Sequence, residues 1–273
     1  GLSAKQGEEQ VYASQFLQKL SELADQAGGE APKPERPDTR FLDEIRRTAG
    51  NEQLVALYNQ REKLASSIET WEHLAERIHQ RWPNWAVLKK LISHAVGLDD
   101  ADVFRAQVET IEQQRQLLAD PDPVAPLVTS LTQAFRDALN RLNQDYQKRH
   151  EQGMARLADD GNWQQLEPEQ RNQLLAEQRL TLADQPKVAV QSTQEVLNTL
   201  EQCALAMFAD RVAALPSRFD NVAVAAAELC EPQIQFIHVP RRTLKTDEEV
   251  DAWAEEVTQQ LKAALPDGPI SVK

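Results

Sequence analysis

The sequence predicts a mainly α-helical protein, and three observations support this. Apolar residues recur at alternating spacings of three and four along most of the chain, which is the period of an amphipathic helix. Glycine is scarce, at 9 of 273 residues. Residues typical of β-strands are concentrated near the C-terminus. We therefore expect an elongated antiparallel helical bundle or coiled-coil arm, followed by a helical domain that ends in a small βαβ unit.

Residues 1–40 are predicted to form one helix and a linker. The helix should end at Gly28 and Gly29, because glycine favours helix termination. The stretch GGEAPKPERPD is rich in Pro, Gly and charge, and it predicts an extended linker that separates this helix from the next ones. The apolar stripe of the helix contains Val11, Phe16, Leu17, Leu20 and Leu23.

Residues 41–160 are predicted to form a long antiparallel helical region that resembles a coiled coil. Apolar stripes with heptad spacing cover residues 54–82, 101–118 and 128–157, and short connections between long helices favour antiparallel neighbours. Pro83 should end or kink the first of these helices, because proline lacks the backbone N–H that an inner helical turn requires.

Two arginines occupy apolar positions of these stripes, Arg61 in the first and Arg115 in the second. They could pair with acidic side chains on a facing helix and so set its register. Alternatively, their stems could cover the apolar seam while their charged heads reach solvent. The sequence leaves both interpretations open.

Residues 161–273 are predicted to form a helical domain with a terminal strand–helix–strand. Separate helices are expected in STQEVLNTLEQCALAMFADRVAAL and SRFDNVAVAAAEL, and strands in QIQFIHV (233–239) and in DGPISV, parallel to each other. Between the strands, Thr246 and Glu249 fit a T-x-x-E capping box at the start of a helix. The buried face of that helix is expected to contain Val250, Trp253, Val257, Leu261 and Leu265.

The net charge of −13 argues against a dedicated binder of nucleic acid or anionic membranes, because long-range repulsion opposes both. A local exception precedes the last helix. Arg241, Arg242 and Lys245 could contact phosphate or a partner, together with Lys89 and Lys90. The alternative is that they are ordinary surface charges that pair with nearby Glu.

The sequence contains none of the common catalytic signatures, such as a P-loop, G-x-G-x-x-G, G-x-S-x-G or H-E-x-x-H. We therefore predict no catalytic, cofactor or metal site. Cys203 and Cys230 are expected to be buried, reduced thiols. No apolar stretch approaches the roughly 20 residues of a membrane span, and the start of the chain lacks the apolar run of a signal peptide. These features predict a cytoplasmic protein that does not enter a membrane.

Two stretches are similar to a known family when taken together. The first is DYQKRHEQGMARLADDGNWQQLEPEQRNQLLAEQRL, and the second is VPRRTLKTDEEVDAWAEEVTQQLKAALPDGPISV. They resemble the C-terminal region of the BrxC/PglY family, the large P-loop ATPase component of BREX bacteriophage-defence systems. The specific similarity covers roughly half of the chain, from about residue 140 onward, while the first half matches only as a generic helical arm.

The resemblance implies a cytoplasmic bacterial ATPase that assembles with a DNA methyltransferase and an alkaline-phosphatase-like component. ATP and Mg²⁺ would bind only in a part of the parent protein that precedes this sequence, so no nucleotide-site residue is carried over. The first residue is Gly1 rather than Met, which agrees with an excised fragment.

Three functions are possible as hypotheses. The chain could be a non-catalytic assembly region that contacts other BREX subunits or a second copy through its helices. It could instead be a nucleic-acid-contacting module of the same ATPase, acting through Arg241, Arg242 and Lys245. It could also be an enzyme in its own right, a class that no sequence feature supports.

Overall fold

The computed structural model describes residues 2–232 and 234–273, and most of them are helical, which confirms the mainly α class. The helices of the first half are α1 (Leu2–Gln26), α2 (Arg40–Arg46), α3 (Asn51–Asn59), α4 (Arg61–Ser93), α5 (Ala101–Gln113) and α6 (Val124–Ala158). Those of the second half are α7 (Gly161–Gln165), α8 (Pro168–Glu177), α9 (Thr193–Gln202), α10 (Leu205–Cys230) and α11 (Asp247–Ala264). The strands are β1 (Gln235–Ile237) and β2 (Ile270–Val272), and short 3₁₀ turns lie at Leu182–Asp184 and Leu265–Asp267.

The chain packs as two compact units. Unit 1 comprises Gly1–Asp145 and Pro186–Val212, and unit 2 comprises Tyr146–Gln185 and Ala213–Lys273. These units do not match the boundaries predicted at residues 40 and 160, because α6 and α10 each contribute residues to both units. The sequence also predicts that three segments fold independently, namely 1–40, 41–160 and 161–273, and this stays a prediction.

The first helix is part of the core of unit 1 rather than a separate element. Its apolar side packs against α2 and α4, and the rings of Phe41 and Trp71 lie 6.2 Å apart. The expected separation of α1 from residues 41–160 is therefore wrong, because its stripe finds its apolar partners inside that region. The buried cluster contains Leu17, Leu20, Ala24, Ala27, Phe41, Leu42, Ile45, Leu64 and Trp71.

The Pro/Gly-rich linker is folded rather than extended. Gly29 N–H donates to Pro34 O at 2.9 Å, and a Cβ on Gly28 would overlap the backbone carbonyl of Glu35. Nη1 of Arg115 donates to the carbonyl oxygens of Gly29 (2.7 Å) and Lys33 (3.0 Å). Both sequence interpretations of Arg115 are therefore wrong: it lies just after the end of α5 and caps the linker through backbone hydrogen bonds.

The first heptad stripe does not form one uninterrupted helix. The chain breaks at Gln60, which separates α3 from α4. Arg61 begins α4, lies 4.3 Å from the centre of the Tyr58 ring and donates to Tyr58 O at 3.0 Å. Its guanidinium is exposed, as the second interpretation expected. The seam C-terminal to it is confirmed where Leu64, Trp71 and Ile78 are buried.

Pro83 does not end the helix, because α4 continues through it to Ser93. Proline removes the hydrogen bond to the carbonyl four residues earlier, here that of His79, and its ring crowds that carbonyl. Pro83 and His79 are both exposed, so this side of the helix faces solvent. The next two turns bury Trp85, Leu88 and Leu91. Their burial stabilises the helical path beyond the proline, by roughly 1.5–3 kcal/mol for a fully buried large apolar side chain.

Two arginines of α4 hold the connection between α5 and α6. Arg81 donates to Leu117 O at 3.0 Å and to Asp120 at 2.8 Å, while Arg77 donates to Leu118 O at 2.8 Å and to Asp120 at 2.9 Å. The hydrogen bond from Arg81 and the charge of both guanidinium groups hold the pKa of Asp120 below its ordinary value. The connection is thereby fixed to the surface of α4.

Within unit 2, α6 and α10 approach each other closely at Gly153. A Cβ on Gly153 would lie closer than 3.0 Å to the ring of Phe219, which is only 1% exposed. His150, one turn earlier, donates through Nε2 to Leu180 O at 2.8 Å, and its ring meets that of Phe219 edge-on at 5.5 Å. Glycine at position 153 is therefore required by packing, since any side chain would enter the space of the ring.

Residues 146–180 of the first quoted stretch also pack within unit 2. Trp163, Leu166 and Leu174 are buried. Arg171 donates to Trp163 O at 3.0 Å and to Gln164 O at 2.7 Å, which joins α8 to α7. In this chain, these residues build the fold of the unit rather than an exposed site.

The two helices predicted at residues 192–215 and 217–229 are divided differently. The chain leaves helical geometry at Cys203, between α9 and α10, and α10 then runs through Pro216 to Cys230. Pro216 is exposed, as Pro83 is. Cys203 is buried as expected. Cys230 is only partly buried, and its thiol donates to Asn162 O at 3.3 Å.

Candidate interaction surface

The strand–helix–strand at the end of the chain has the predicted topology. β1 and β2 are parallel, with Gln235 opposite Ile270 and Ile237 opposite Val272, and α11 connects them. Gln233, the first residue of the predicted strand, lies outside the described residues.

The loop that leads into α11 is fastened at both ends. Nε1 of Trp253 donates to Pro240 O at 3.0 Å, which ties the start of the loop to the second turn of the helix. At the other end, Thr246 is the N-cap, and its hydroxyl oxygen accepts from Glu249 N–H at 3.3 Å. The Glu249 carboxylate accepts from Lys245 N–H at 2.6 Å. This is one residue earlier than in the standard capping box, in which the carboxylate accepts from the N-cap residue itself.

The acidic first turn of α11 is stabilised locally. The Glu248 carboxylate accepts hydrogen bonds from its own backbone N–H and from the Thr246 hydroxyl, and these hold the pKa of Glu248 below its ordinary value. A carboxylate at a helix N-terminus is also favoured by the helix dipole. The acidic run is thus an ordinary helix start, as the sequence interpretation expected.

One of the three basic residues of the loop is already engaged by a carboxylate of α11. Arg242 makes a two-pronged ion pair with Glu256, with Nη1–Oε2 at 3.0 Å and Nη2–Oε1 at 3.3 Å. Within residues 2–232 and 234–273, the side chains of Arg241 and Lys245 form no ion pair. The charge of Arg242 is therefore already matched inside the chain.

Lys89 and Lys90, the other basic residues considered for phosphate contact, lie on α4 in unit 1, whereas the loop belongs to unit 2. Nζ of Lys89 is 3.2 Å from a carboxylate oxygen of Glu112 and 5.5 Å from the centre of the Trp85 ring. Lys89 is therefore also paired within its own unit.

The apolar face of α11 is not buried, contrary to the sequence prediction. Val250 is 45% exposed, and Leu265, just beyond the helix, is 54% exposed. Trp253, Val257 and Leu261 are half-buried. Sequence periodicity identifies which side of a helix is apolar, but it cannot tell whether the rest of the chain covers that side. The two-stranded sheet is too small to cover the apolar side of α11.

The opposite face of the sheet is exposed as well. Side chains alternate between the two faces of a strand, and Phe236 at the centre of β1 is 59% exposed. Its ring is covered on one side by Nζ of Lys273, 4.1 Å from the ring centre, in a cation–π contact. Phe236 was absent from the predicted site, although a phenylalanine at the middle of a strand between two prolines was a visible signal.

The backbone hydrogen bonds of β1 leave one edge of the strand open. Gln235 N–H donates to Pro269 O at 2.9 Å, and Val239 N–H donates to Lys273 O at 3.3 Å. Ile237 O accepts from Lys273 N–H at 3.1 Å. The odd-numbered residues therefore face β2 with their backbone groups, and the even-numbered residues face away from it.

A second apolar surface lies in unit 1, between α5 and the start of α6. It is an open groove of about 740 Å³ whose lining includes Val103, Ile111, Pro126 and Leu127. Sequence reasoning missed it, because the pairing of α5 with α6 depends on tertiary packing rather than on the pattern of either helix.

In the residues that the structure describes, no group of three or more His, Cys, Asp or Glu side chains is arranged to hold a metal ion. No described helix combines the length and the apolarity that crossing a lipid bilayer requires.

Comparison with family models, with curated proteins and with solved structures finds no match to this chain. The BrxC/PglY resemblance therefore rests on the quoted residues alone.

Proposed function

We propose that this chain is a non-catalytic assembly region that binds other protein subunits through its C-terminal strand–helix–strand. The observation that carries the proposal is the exposed apolar stripe of α11, together with the exposed centre of β1. An amphipathic helix of a globular protein normally turns its apolar side to a core. Apolar patches left open on a folded surface are typical of protein–protein interaction sites.

The charges around the stripe favour a protein partner over a nucleic acid. Arg242 is neutralised by Glu256, and the first turn of α11 carries Asp247, Glu248 and Glu249. A phosphate backbone approaching this loop would meet three carboxylates beside the two remaining cations, Arg241 and Lys245, and the Coulomb term would oppose binding. A partner with apolar side chains and a basic rim fits the same surface.

The proposed partners come from the family resemblance. We propose that the parent protein is a BREX bacteriophage-defence ATPase of the BrxC type in the bacterial cytoplasm. Its partner subunits would be the DNA methyltransferase and the alkaline-phosphatase-like component. Support comes from the two quoted stretches, which include the whole of α11 and its loop.

Co-purification with the other BREX subunits tests the proposal. Replacing the two most exposed apolar residues of the stripe, Val250→Ser and Leu265→Ser, should abolish capture of the partner while the circular dichroism spectrum stays unchanged. The matched control is Val224→Ser, which removes a similarly exposed apolar side chain from α10 and should leave capture intact. Equal capture by the double variant and the control would contradict the proposal.

The same preparation decides the nucleic-acid alternative. If the loop bound DNA, affinity would fall steeply with salt, and Arg241→Ala with Lys245→Ala would weaken binding at every sequence. We expect the wild-type chain to bind DNA no more tightly than the Arg241→Ala, Lys245→Ala variant at any salt concentration. Deleting residues 41–160 is a poorer test of either function, because the deletion removes the partners of the buried face of α1.

A further inference from the structure

The N-terminal half of α1 is helical but packs against little of unit 1. Every residue from 7 to 12 is exposed, whereas burial begins at Ala13 and continues at Leu17 and Leu20. Most of the stability of helices in proteins comes from packing of one face rather than from helix propensity. This half of α1 is therefore open to a partner that packs along it.

One face of α1 carries two aromatic rings between two opposite charges. Glu9, Tyr12, Phe16 and Lys19 follow one another at spacings of three, four and three, which places them on the same face of the helix. Tyr12 is 69% exposed and Phe16 is 39% exposed. In the part of the chain that the structure describes, neither Glu9 nor Lys19 forms an ion pair. We call these four residues the aromatic face of α1.

An open groove borders this face inside unit 1. It has a volume of about 400 Å³, and its lining includes Phe16 of α1, Tyr58 of α3 and Ile68 of α4. Tyr58 is itself 65% exposed. Exposed aromatic side chains beside an apolar groove are typical of protein–protein interfaces. The groove leaves room for a side chain of a partner next to the Phe16 ring.

We propose that a second copy of this chain binds here, with its own α1 antiparallel to the first. The aromatic face is complementary to its own reverse: Glu9 of one copy lies opposite Lys19 of the other, and Tyr12 lies opposite Phe16. A two-fold axis repeats each contact, so that one antiparallel pair of helices forms two ion pairs and two aromatic contacts. Tyr12 of each copy enters the groove beside Phe16 of the other.

The order of the charges selects both the partner and its direction. A parallel pair would place Glu9 against Glu9 and Lys19 against Lys19, and such like-charge contacts oppose association. The antiparallel pair gives each of these unpaired charges a partner of opposite sign. The surface lies in unit 1, whereas the proposed function uses the strand–helix–strand of unit 2, so the two assignments are independent.

Charge exchange tests the register by sedimentation equilibrium at about 0.15 M salt, where the Debye length is about 8 Å and distant charges are screened. The wild-type chain should show a monomer–dimer equilibrium. Glu9→Lys alone and Lys19→Glu alone should each weaken it roughly tenfold, because each creates two like-charge contacts. The variant with both substitutions should restore it. The matched control is Glu22→Lys, which makes the same charge change at an exposed position of α1 outside the aromatic face and should leave dimerisation unchanged.

Removing the central ring tests the packing. Tyr12→Ala should shift the equilibrium toward monomer by more than tenfold. Val11→Ala, which truncates a neighbouring side chain that is 55% exposed but lies off the aromatic face, should not shift it. Alanine is the best helix former, so neither variant should lose helical circular dichroism.

Four results would overturn the inference. They are a wild-type chain that is monomeric at every concentration, a dimer that is indifferent to Tyr12→Ala, single charge variants that the double variant does not rescue, and equal weakening by Glu9→Lys and Glu22→Lys. The proposed function can fail separately. A monomer that still captures the BREX subunits removes the second copy and leaves the proposed function, whereas a dimer with charge rescue that captures no subunit does the reverse.

Discussion

The close contact at Gly153 makes the most quantitative prediction for this fold. Gly153→Ala places a methyl group less than 3.0 Å from three atoms of the Phe219 ring. The ring is buried and also contacts His150, so it cannot move aside freely. Overpacking of this kind costs about 1–3 kcal/mol, and the gain in helix propensity from Gly to Ala returns at most about 1 kcal/mol. We expect a net loss of up to about 2 kcal/mol in the free energy of unfolding.

The matched control is Gly7→Ala, because Gly7 also lies inside a helix but has no atom within 4 Å of an added Cβ. That variant should be stabilised by up to about 1 kcal/mol. Urea unfolding followed by tryptophan fluorescence measures both variants, since Trp163 is buried in the same unit as Gly153, and Trp71 and Trp85 are buried in the same unit as Gly7. In a double-mutant cycle, Phe219→Leu should remove most of the penalty of Gly153→Ala. Equal midpoints for Gly153→Ala and Gly7→Ala would refute the packing argument.

Three further predictions concern other contacts. Arg115→Leu removes the hydrogen bonds to two linker carbonyls, so it should destabilise the chain by about 1–3 kcal/mol and expose residues 28–37 to limited proteolysis; unchanged cleavage would contradict the capping role. The pKa of Asp120 is lowered from 3.8. Its pairing with Arg77 and Arg81 therefore stabilises the fold above that pH, and this contribution is lost as the pH falls through the lowered pKa of the folded state. Between neutral and strongly acidic pH, the free energy of unfolding should therefore fall more for the wild type than for Asp120→Asn. Thr246→Ala should cost α11 about 1 kcal/mol, measured by hydrogen exchange, and Thr246→Ser should retain most of the protection.

The helical class and the terminal βαβ unit could be predicted from the sequence because they depend on local periodicity. The stripe of α6 and the capping Thr246 are read from neighbours within a few residues. The positions at which helices end were harder to predict. Pro83 was expected to end or kink its helix, and Pro216 fell between two predicted helices. Each is exposed within a helix whose following turns are buried, so tertiary packing outweighed the local penalty.

Long-range contacts decided what the sequence could not show. The linker looked extended because Pro and Gly disfavour regular structure, yet its carbonyls are held by Arg115 from more than eighty positions away. Likewise, α11 was correctly seen as amphipathic, while its exposure depends on which elements the chain brings to it. The basic loop could be found from the sequence, but the pairing of Arg242 with Glu256 requires the geometry of the folded helix.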